Sequence, residues 1–176
     1  APAVLGGATV AWTQDGRSSA LRLDPPPGVS PVAFIPDFEL STSTARALLP
    51  EKVTHADAAF NSGRAALLAA LLAGAGERVL GEASDLHALL MEATRDRLHQ
   101  EFRRASMEPS LALVDWLRSA GLAAVVSGAG PTVLSVEAVP ESVVAQATGA
   151  GWKVARLDVA AQGLRITRGR LARLDA

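Results

Sequence analysis

A glycine-rich segment, SGAGPT at residues 127–132, constrains this chain more than any other part of its sequence. Apolar runs typical of strands flank it at residues 122–126 and 133–136. A Walker A loop needs Gly-Lys-Ser/Thr at the start of a helix, and a dinucleotide-binding loop needs GxGxxG there. Here Pro131 follows the second glycine and a strand-like run comes next, so neither label fits. The segment predicts a strand, a glycine turn and a second strand.

Composition limits the classes of protein to which the chain can belong. Its 176 residues are 49% hydrophobic, with 17 Lys and Arg against 18 Asp and Glu. This near balance argues against a general binder of nucleic acid or of membrane surfaces, which would need a basic excess. There is no Cys, and the three His residues share no metal-ligand spacing, so we expect no metal site. The length suits one domain with a real core.

The order of elements predicts an α+β fold. Residues 8–12 and 19–23 read as a hairpin around Asp15-Gly16, and DPPPG at 24–28 reads as a linker. A short strand at 32–35 precedes helices at 42–49 and 54–72, another that begins at Ser84 and includes Leu98, and one that begins near Pro109. A helix at 140–148 and closing strands at 153–159 and 164–167 complete the pattern. We expect a two-layer sandwich of helices on an antiparallel sheet.

After the glycine segment, arginines beside apolar helices are the next candidates for binding an anion, because guanidinium binds carboxylate or phosphate in a bidentate manner. Arg46 follows four hydroxyl residues, Arg64 lies three residues after Asn61, and Arg103 ends the run HQEFR. A solvated or salt-bridged side chain is the simpler interpretation of each one. Likewise, the glycine segment is either a binding loop or only a tight turn.

Other charged groups favour structural roles. His55, His87 and His99 suit helix caps or the surface, and Asp37 with Glu39 suits a solvated loop. The four arginines between residues 165 and 173 predict a solvated terminal segment rather than a nucleic-acid site.

Several segments resemble the homoserine kinase family of the GHMP kinase superfamily, in the order found there. SGAGPT resembles the third motif of the superfamily, although its usual second serine is Ala129 here. LSTSTARALLP at 40–50, FNSGRAALLAALLAG at 60–74 and DRLHQEFR at 96–103 resemble homoserine kinase segments. APAVLGG at 1–7 resembles the stretch after the family's Asp-Asn pair. The similarity runs nearly end to end, and the combination of segments is more specific than the glycine motif alone.

The resemblance implies a reaction in which ATP, with Mg²⁺, phosphorylates the hydroxyl of L-homoserine in threonine biosynthesis. It implies that Thr42 lies near the transferred phosphoryl group and that Arg46 and Arg103 hold the substrate carboxylate. Asn61 and Arg64 would support that site. The substrate-binding loop would comprise Ser127, Gly128, Ala129, Gly130 and Thr132.

The resemblance also implies a division of the chain. Because Ala1 is not Met and strand-like residues follow at once, we expect a fragment. Residues 1–30 would be strands and a linker left from an N-terminal ATP-binding domain, and residues 31–176 a GHMP-kinase-like C-terminal domain. ATP and Mg²⁺ would be bound mainly by the N-terminal half, so we expect the chain alone to be inactive.

Two alternatives remain open from the sequence. One is another GHMP kinase that acts on a mevalonate-type or sugar substrate, and the other is a non-catalytic module for amino-acid binding or dimerisation. In the leading interpretation the partner is L-homoserine, nucleic acid and membranes are not partners, the location is cytoplasmic, and a homodimer stays open.

Overall fold

The computed structural model describes residues 2–27, 29–75 and 86–164. The strands are β1 (Ala8–Gln14), β2 (Arg17–Leu23), β3 (Val29–Ile35), β4 (Ala124–Val126), β5 (Val133–Glu137) and β6 (Lys153–Arg156). The helices are α1 (Thr42–Ala47), α2 (His55–Leu72), α3 (Leu86–Ala93), α4 (Gln100–Arg103), α5 (Glu108–Ser119) and α6 (Glu141–Gly149). Short 3-10 turns lie at Pro2–Leu5 and Arg104–Ser106.

The main sheet is antiparallel throughout, in the strand order β4-β5-β3-β6. Helices α5 and α6 pack against it, and their apolar residues share one core with Phe34 and Val133, which are fully buried. A second, smaller cluster joins α2 and α3 to Ala123 and Val136. This mixture of helices with an antiparallel sheet confirms the predicted α+β class and matches the expected sandwich architecture.

The N-terminal hairpin forms a separate two-stranded sheet. Asp15 and Gly16 both have positive φ, 51° and 73°, which is the geometry of a type I′ turn. The predicted hairpin is therefore confirmed. Its side chains are mostly exposed, including Trp12 at 50% and Leu21 at 56%.

Two helix boundaries follow directly from local chemistry. The hydroxyl of Thr54 accepts from the Asp57 amide at the start of α2, as the capping pattern predicts. Gly121, with φ of 84°, ends the turn after α5, as predicted from its position. Pro109 lies in the first turn of α5, where its missing N–H costs no helical hydrogen bond.

Several predicted boundaries, and one predicted strand residue, were wrong. The helix that was expected to include Leu98 ends at Ala93, because Asp96 binds the following backbone amides and starts a new turn. The strand predicted at 153–159 ends at Arg156, and Leu164 is not in a strand. Strand β3 begins at Val29, three residues earlier than predicted, with Pro31 tolerated at a register irregularity.

Some expectations lie outside the described residues. These are Gly28 of the linker, the predicted helix start at Ser84, residues 165–167 of the last strand, and the terminal arginines. None of the helices in the described ranges combines the length and hydrophobicity that a membrane span requires.

Candidate functional site

The glycine segment forms the connection between β4 and β5, as the sequence predicts. The Ser127 amide donates to the Thr132 carbonyl at 2.8 Å, and the Gly130 amide donates to the Ser127 carbonyl at 3.0 Å. Gly128 and Gly130 have φ of 61° and 89°, a region that side chains disfavour. We call residues 127–132 the glycine loop. Its closure explains why the sequence needs glycine at two places.

Its two glycines differ in what surrounds them. A Cβ on Gly130 would lie 2.7 Å from Cε of the fully buried Met107 and 3.1 Å from Val126. A Cβ on Gly128 would meet nothing within 4 Å. The loop is therefore packed against the core at Gly130 and open at Gly128.

Helix α5 holds the glycine loop from the side of the core. The Ser110 hydroxyl, on a residue that is fully buried, donates to the Pro131 carbonyl at 2.6 Å. The bond satisfies the buried hydroxyl, which would be costly to leave without a partner, and it ties the half-buried Pro131 to α5. The loop is thus an anchored element rather than a free turn.

Arg103 connects the glycine loop to α1. Its side chain comes from the end of α4, and the residue is 7% exposed. Nε donates to the Ala45 carbonyl at 3.2 Å, and Nη1 donates to the Gly128 carbonyl at 3.0 Å. A single guanidinium therefore joins three segments that the sequence analysis singled out separately.

Helix α1 carries the two other principal candidates. Ser41 caps it by accepting from the Thr44 amide at 3.1 Å, and Thr42 is its first residue. Thr42 and Arg46 are both exposed. Within the described ranges Arg46 makes no hydrogen bond or ion pair, in contrast to Arg103. Because Ala45 precedes Arg46 in the chain, the hydrogen bond from Arg103 fixes the backbone that carries Arg46.

The segment that leads into α4 is organised by the carboxylate of Asp96. Its two oxygens accept hydrogen bonds from the Asn61 side chain and from the amides of Leu98, His99 and Gln100, at 2.7–3.1 Å. Burial alone would raise the pKa of Asp96, but the hydrogen bonds that its carboxylate accepts outweigh this effect, those from the Gln100 amide and the Asn61 side chain most of all. Together they lower this pKa to about 2.

Asn61 completes a clamp between α2 and that segment. While its Nδ2 donates to Asp96 at 2.7 Å, its Oδ1 accepts from the Arg97 amide at 2.8 Å. Both ends of the amide are thus used, which fixes its orientation. The role predicted for Asn61 was support of the site, and this is the geometry in which such support would act.

Arg64 lies one turn further along α2 and is tied to α3. It forms an ion pair with Glu92, and its guanidinium lies 3.7 Å from the centre of the Phe60 ring. Hydrogen bonds from Arg64 and Arg95 lower the pKa of Glu92. The buried Nε of Arg64 has no hydrogen-bond partner within the described part of the chain.

A cleft of about 380 Å³ brings four of the predicted site residues together. They are Asn61, Arg64, Arg103 and Gly128. The lining also includes Thr94, Asp96, His99 and Gln100, which the sequence analysis did not select. The lining does not include Thr42, Arg46, Ser127, Ala129, Gly130 or Thr132.

Asp96 and Gln100 are the informative residues that sequence reasoning missed. Oε1 of Gln100 accepts from the Val126 amide at 2.7 Å, which ties α4 to the strand before the glycine loop. An Asp shortly before a helix is a capping signal that could have identified Asp96. No comparable local signal marks Gln100, because its partner is 26 residues away.

A bound metal ion would need several acidic, His or Cys side chains close together. The described residues contain no cluster of three or more His, Cys, Asp or Glu side chains arranged to bind one. Divalent magnesium is bound through carboxylates and phosphate oxygens. We therefore assign none of the described residues to Mg²⁺ and derive no step through it.

The chain is similar in sequence to known proteins over most of its length. Residues 67–151 match the family model for the C terminal of GHMP kinases. The homoserine kinase of Streptomyces avermitilis is 44% identical over 167 residues, which cover 94% of this chain and 51% of that protein. The homoserine kinase of Corynebacterium efficiens is 42% identical over 169 residues, 91% of this chain and 51% of that protein.

A solved structure has a similar fold. The crystal structure of homoserine kinase from Cytophaga hutchinsonii superposes with a TM-score of 0.75, covering 92% of this chain and 51% of that one. Sequence identity in this pair is 21%, so the likeness concerns the fold. The chain spans about half the length of the curated relatives that it matches.

Proposed function

This chain belongs to the homoserine kinase family, and we propose that it supplies the substrate-holding side of such an enzyme. In the proposed reaction the hydroxyl oxygen of L-homoserine forms a bond to the γ-phosphorus of ATP. The bond between that phosphorus and the bridging oxygen of ADP breaks, and the hydroxyl proton is released. The products are O-phospho-L-homoserine and ADP, and the setting is cytoplasmic threonine biosynthesis.

The observation that carries this proposal is the position of Arg103. Two of its donor nitrogens already bind the Ala45 and Gly128 carbonyls, which fix the plane of the guanidinium. Of the five N–H groups of an arginine, one on Nη1 and both on Nη2 remain. That pair of nitrogens is the fork that binds a carboxylate in a bidentate manner.

Arg46 is proposed as the second group for the same carboxylate. It is exposed, it has no ion pair within the described ranges, and its helix is fixed by the bond between Arg103 and Ala45. Two cations on a small amino acid would fix where its hydroxyl lies, and phosphoryl transfer depends mainly on such positioning. Thr42, at the other end of α1, is proposed to lie near the transferred phosphoryl group, by its match to the family.

ATP and Mg²⁺ are assigned mainly to the part of the family's length that this chain does not span. The 176 residues contain no Gly-Lys-Ser/Thr loop, and the described ones offer no acidic cluster for a metal. We therefore propose that the chain on its own does not catalyse. The glycine loop would form one wall of the site, facing a nucleotide held elsewhere.

Titration calorimetry on the 176-residue chain tests the binding part of the proposal. The ligands are L-homoserine and 2-amino-1,4-butanediol, which keeps the amine and hydroxyl but lacks the carboxylate. We expect homoserine to bind at least about tenfold more tightly, because each charged hydrogen bond contributes about 1.5–3 kcal/mol. Equal affinities would contradict the proposal.

Further ligands separate the alternatives. Preference for mevalonate or a sugar over L-homoserine would indicate another GHMP kinase. Tight binding of L-threonine without any effect of nucleotide would indicate a non-catalytic regulatory module. A turnover assay with the 176-residue chain completes the test. A rate near the common enzymatic value of about 10 s⁻¹ would overturn the proposal that ATP is bound mainly by the part of the related proteins that this chain does not span.

A further inference from the structure

We propose that Asp96, clamped to α2 by Asn61, is a positioning residue that sets the direction of the Arg103 guanidinium. The inference rests on the proposed function of Arg103 as a carboxylate-binding group. Neither Asp96 nor Asn61 needs to touch the substrate. Their effect would pass through the backbone of residues 96–103.

The length of α4 is the first step of the argument. The helix has four residues, Gln100–Arg103, and forms a single turn. A turn of this length is not stable alone, because helix nucleation is unfavourable and few hydrogen bonds are gained. Its N-cap residue, His99, makes no side-chain capping bond. The orientation of Arg103 must therefore be imposed from outside α4.

The Asp96 carboxylate is the group that imposes it. It accepts from the amides of Leu98, His99 and Gln100, which are the donors that a helix start leaves unsatisfied. The His99 side chain adds a further contact at 3.1 Å. Three amides on one carboxylate fix the backbone up to the first residue of α4.

Asn61 gives this local arrangement a fixed place in the fold. It binds Asp96 on one side and the Arg97 amide on the other, so the turn is attached to the long helix α2. At the far end, Gln100 binds the Val126 amide and Arg103 binds the Ala45 and Gly128 carbonyls. The segment 96–103 is thus fastened at both ends, and Arg103 is its last residue.

A carboxylate is required at position 96 rather than an amide. Both oxygens of Asp96 accept hydrogen bonds, Oδ1 from Asn61 and Leu98 and Oδ2 from His99 and Gln100. In Asp96→Asn one acceptor becomes a donor that would face backbone amides. The substitution keeps the size and shape of the side chain, so it perturbs the hydrogen bonds selectively.

Arginine side-chain NMR of the full chain tests the inference directly. The Nε–H of Arg103, buried and bound to the Ala45 carbonyl, is assigned by its loss in Arg103→Lys. We expect Asp96→Asn and Asn61→Ala each to accelerate its exchange with water by about tenfold or more, as expected when a local hydrogen bond opens. The matched control is Asp115→Asn, which removes a surface carboxylate that lies 3.0 Å from Arg104.

A double variant in which the residues at positions 61 and 96 are swapped tests whether the hydrogen bond between them can be restored. In Asn61→Asp combined with Asp96→Asn, position 61 can still accept from the Arg97 amide and position 96 can donate to position 61. We expect slow exchange at Arg103 to be partly restored. An unchanged Arg103 signal in both Asp96→Asn and Asn61→Ala would overturn the inference, as would an equal effect of Asp115→Asn. Circular dichroism verifies that each variant is folded. If Asp96→Asn does not fold, Asn61→Ala still tests the inference, because it removes the hydrogen bonds that attach the same turn to α2.

Ligand selectivity links the positioning to the site. The ratio of affinities for L-homoserine and 2-amino-1,4-butanediol does not depend on the folded fraction, so a purely structural defect leaves it unchanged. We expect Asp96→Asn to reduce this ratio at least about fivefold, in line with the loss of part of a charged hydrogen bond. One outcome would separate the two proposals. If the Arg103 Nε–H exchanges faster in the two variants, but the unaltered chain does not distinguish L-homoserine from 2-amino-1,4-butanediol, then the positioning by Asp96 is supported and the proposed function is refuted. Unaltered selectivity in Asp96→Asn would refute the positioning alone.

Discussion

Nη1 of Arg103 donates a hydrogen bond to the carbonyl oxygen of Gly128 at 3.0 Å. This bond joins the end of α4 to the open side of the glycine loop. There the positive φ of Gly128 directs its carbonyl toward Arg103. Since Nε of the same guanidinium binds the Ala45 carbonyl, any displacement of Arg103 would affect α1 and the loop together. The arrangement predicts that substitutions at Arg103 couple stability to binding.

Arg103→Lys tests this coupling. An ammonium group cannot reproduce the planar fork that contacts the two carbonyls and that we propose to bind the substrate carboxylate. We expect the affinity for L-homoserine to fall about 10–100-fold and the free energy of unfolding to fall by about 1–3 kcal/mol. Calorimetry and urea denaturation give the two values. Arg17→Lys, at an exposed position in the hairpin, is the control and should change neither.

Arg46→Ala should separate binding from stability. Because Arg46 is exposed and has no partner within the described ranges, its removal should leave the midpoint of urea unfolding unchanged. The affinity for L-homoserine should still fall about tenfold or more, since the substitution would remove the proposed charged contact to the carboxylate. If affinity for 2-amino-1,4-butanediol falls by the same factor, Arg46 does not bind the carboxylate.

The sequence predicts best those elements whose determinants are local. The hairpin follows from a turn pair that tolerates positive φ, and the start of α2 follows from Thr54 and Asp57. The glycine loop follows from two glycines between strand-like runs. In each case the interacting atoms lie within a few residues of one another, so their spacing in the sequence carries the information.

The break between α3 and α4 could not be predicted in this way. Apolar periodicity continues to Leu98, but the Asp96 carboxylate ends the helical run by accepting from the amides of Leu98, His99 and Gln100. Its other partner, Asn61, is 35 residues away, and the carbonyl that binds Arg103 Nε is 58 residues away. Pairings at such separations are set by the tertiary fold. Family resemblance selected Arg103 as a site residue, but it contained no information about these partners.

The glycine loop should respond differently at its two glycines. In Gly130→Ala the new Cβ would meet Met107 and Val126 as well as a φ of 89°, so both overpacking and backbone strain apply. We expect a loss of about 2–4 kcal/mol in the free energy of unfolding. Gly128→Ala carries only the strain at φ of 61° and should cost about 1–2 kcal/mol. Urea denaturation of both variants measures these losses. Equal losses of unfolding free energy would contradict the argument that only Gly130 is packed against the core.

The free energy of unfolding should depend on pH in a way that reveals the ionised carboxylate of Asp96. Its pKa is about 2 in the folded chain against an ordinary value of 3.8, so the folded state favours the ionised form. This stabilisation is complete above the unfolded pKa and is lost as the pH falls through the folded pKa, between about pH 4 and pH 2. Glu92 and Glu101 also have lowered pKa values, through hydrogen bonds from Arg64 and Arg104 respectively. Both therefore add to the loss of unfolding free energy as the pH falls.

The difference between the unaltered chain and Asp96→Asn isolates the contribution of Asp96, because the two glutamates are common to both. We expect the unaltered chain to be more stable at pH 6, and we expect that advantage to shrink as the pH falls from about 4 to 2. The reason is that protonated Asp96, like Asn, can no longer accept at both oxygens. Urea midpoints measured from pH 6 to pH 2 give the two curves. A stability difference that stays constant over this range would show that Asp96 is not held ionised by the amides and Asn61.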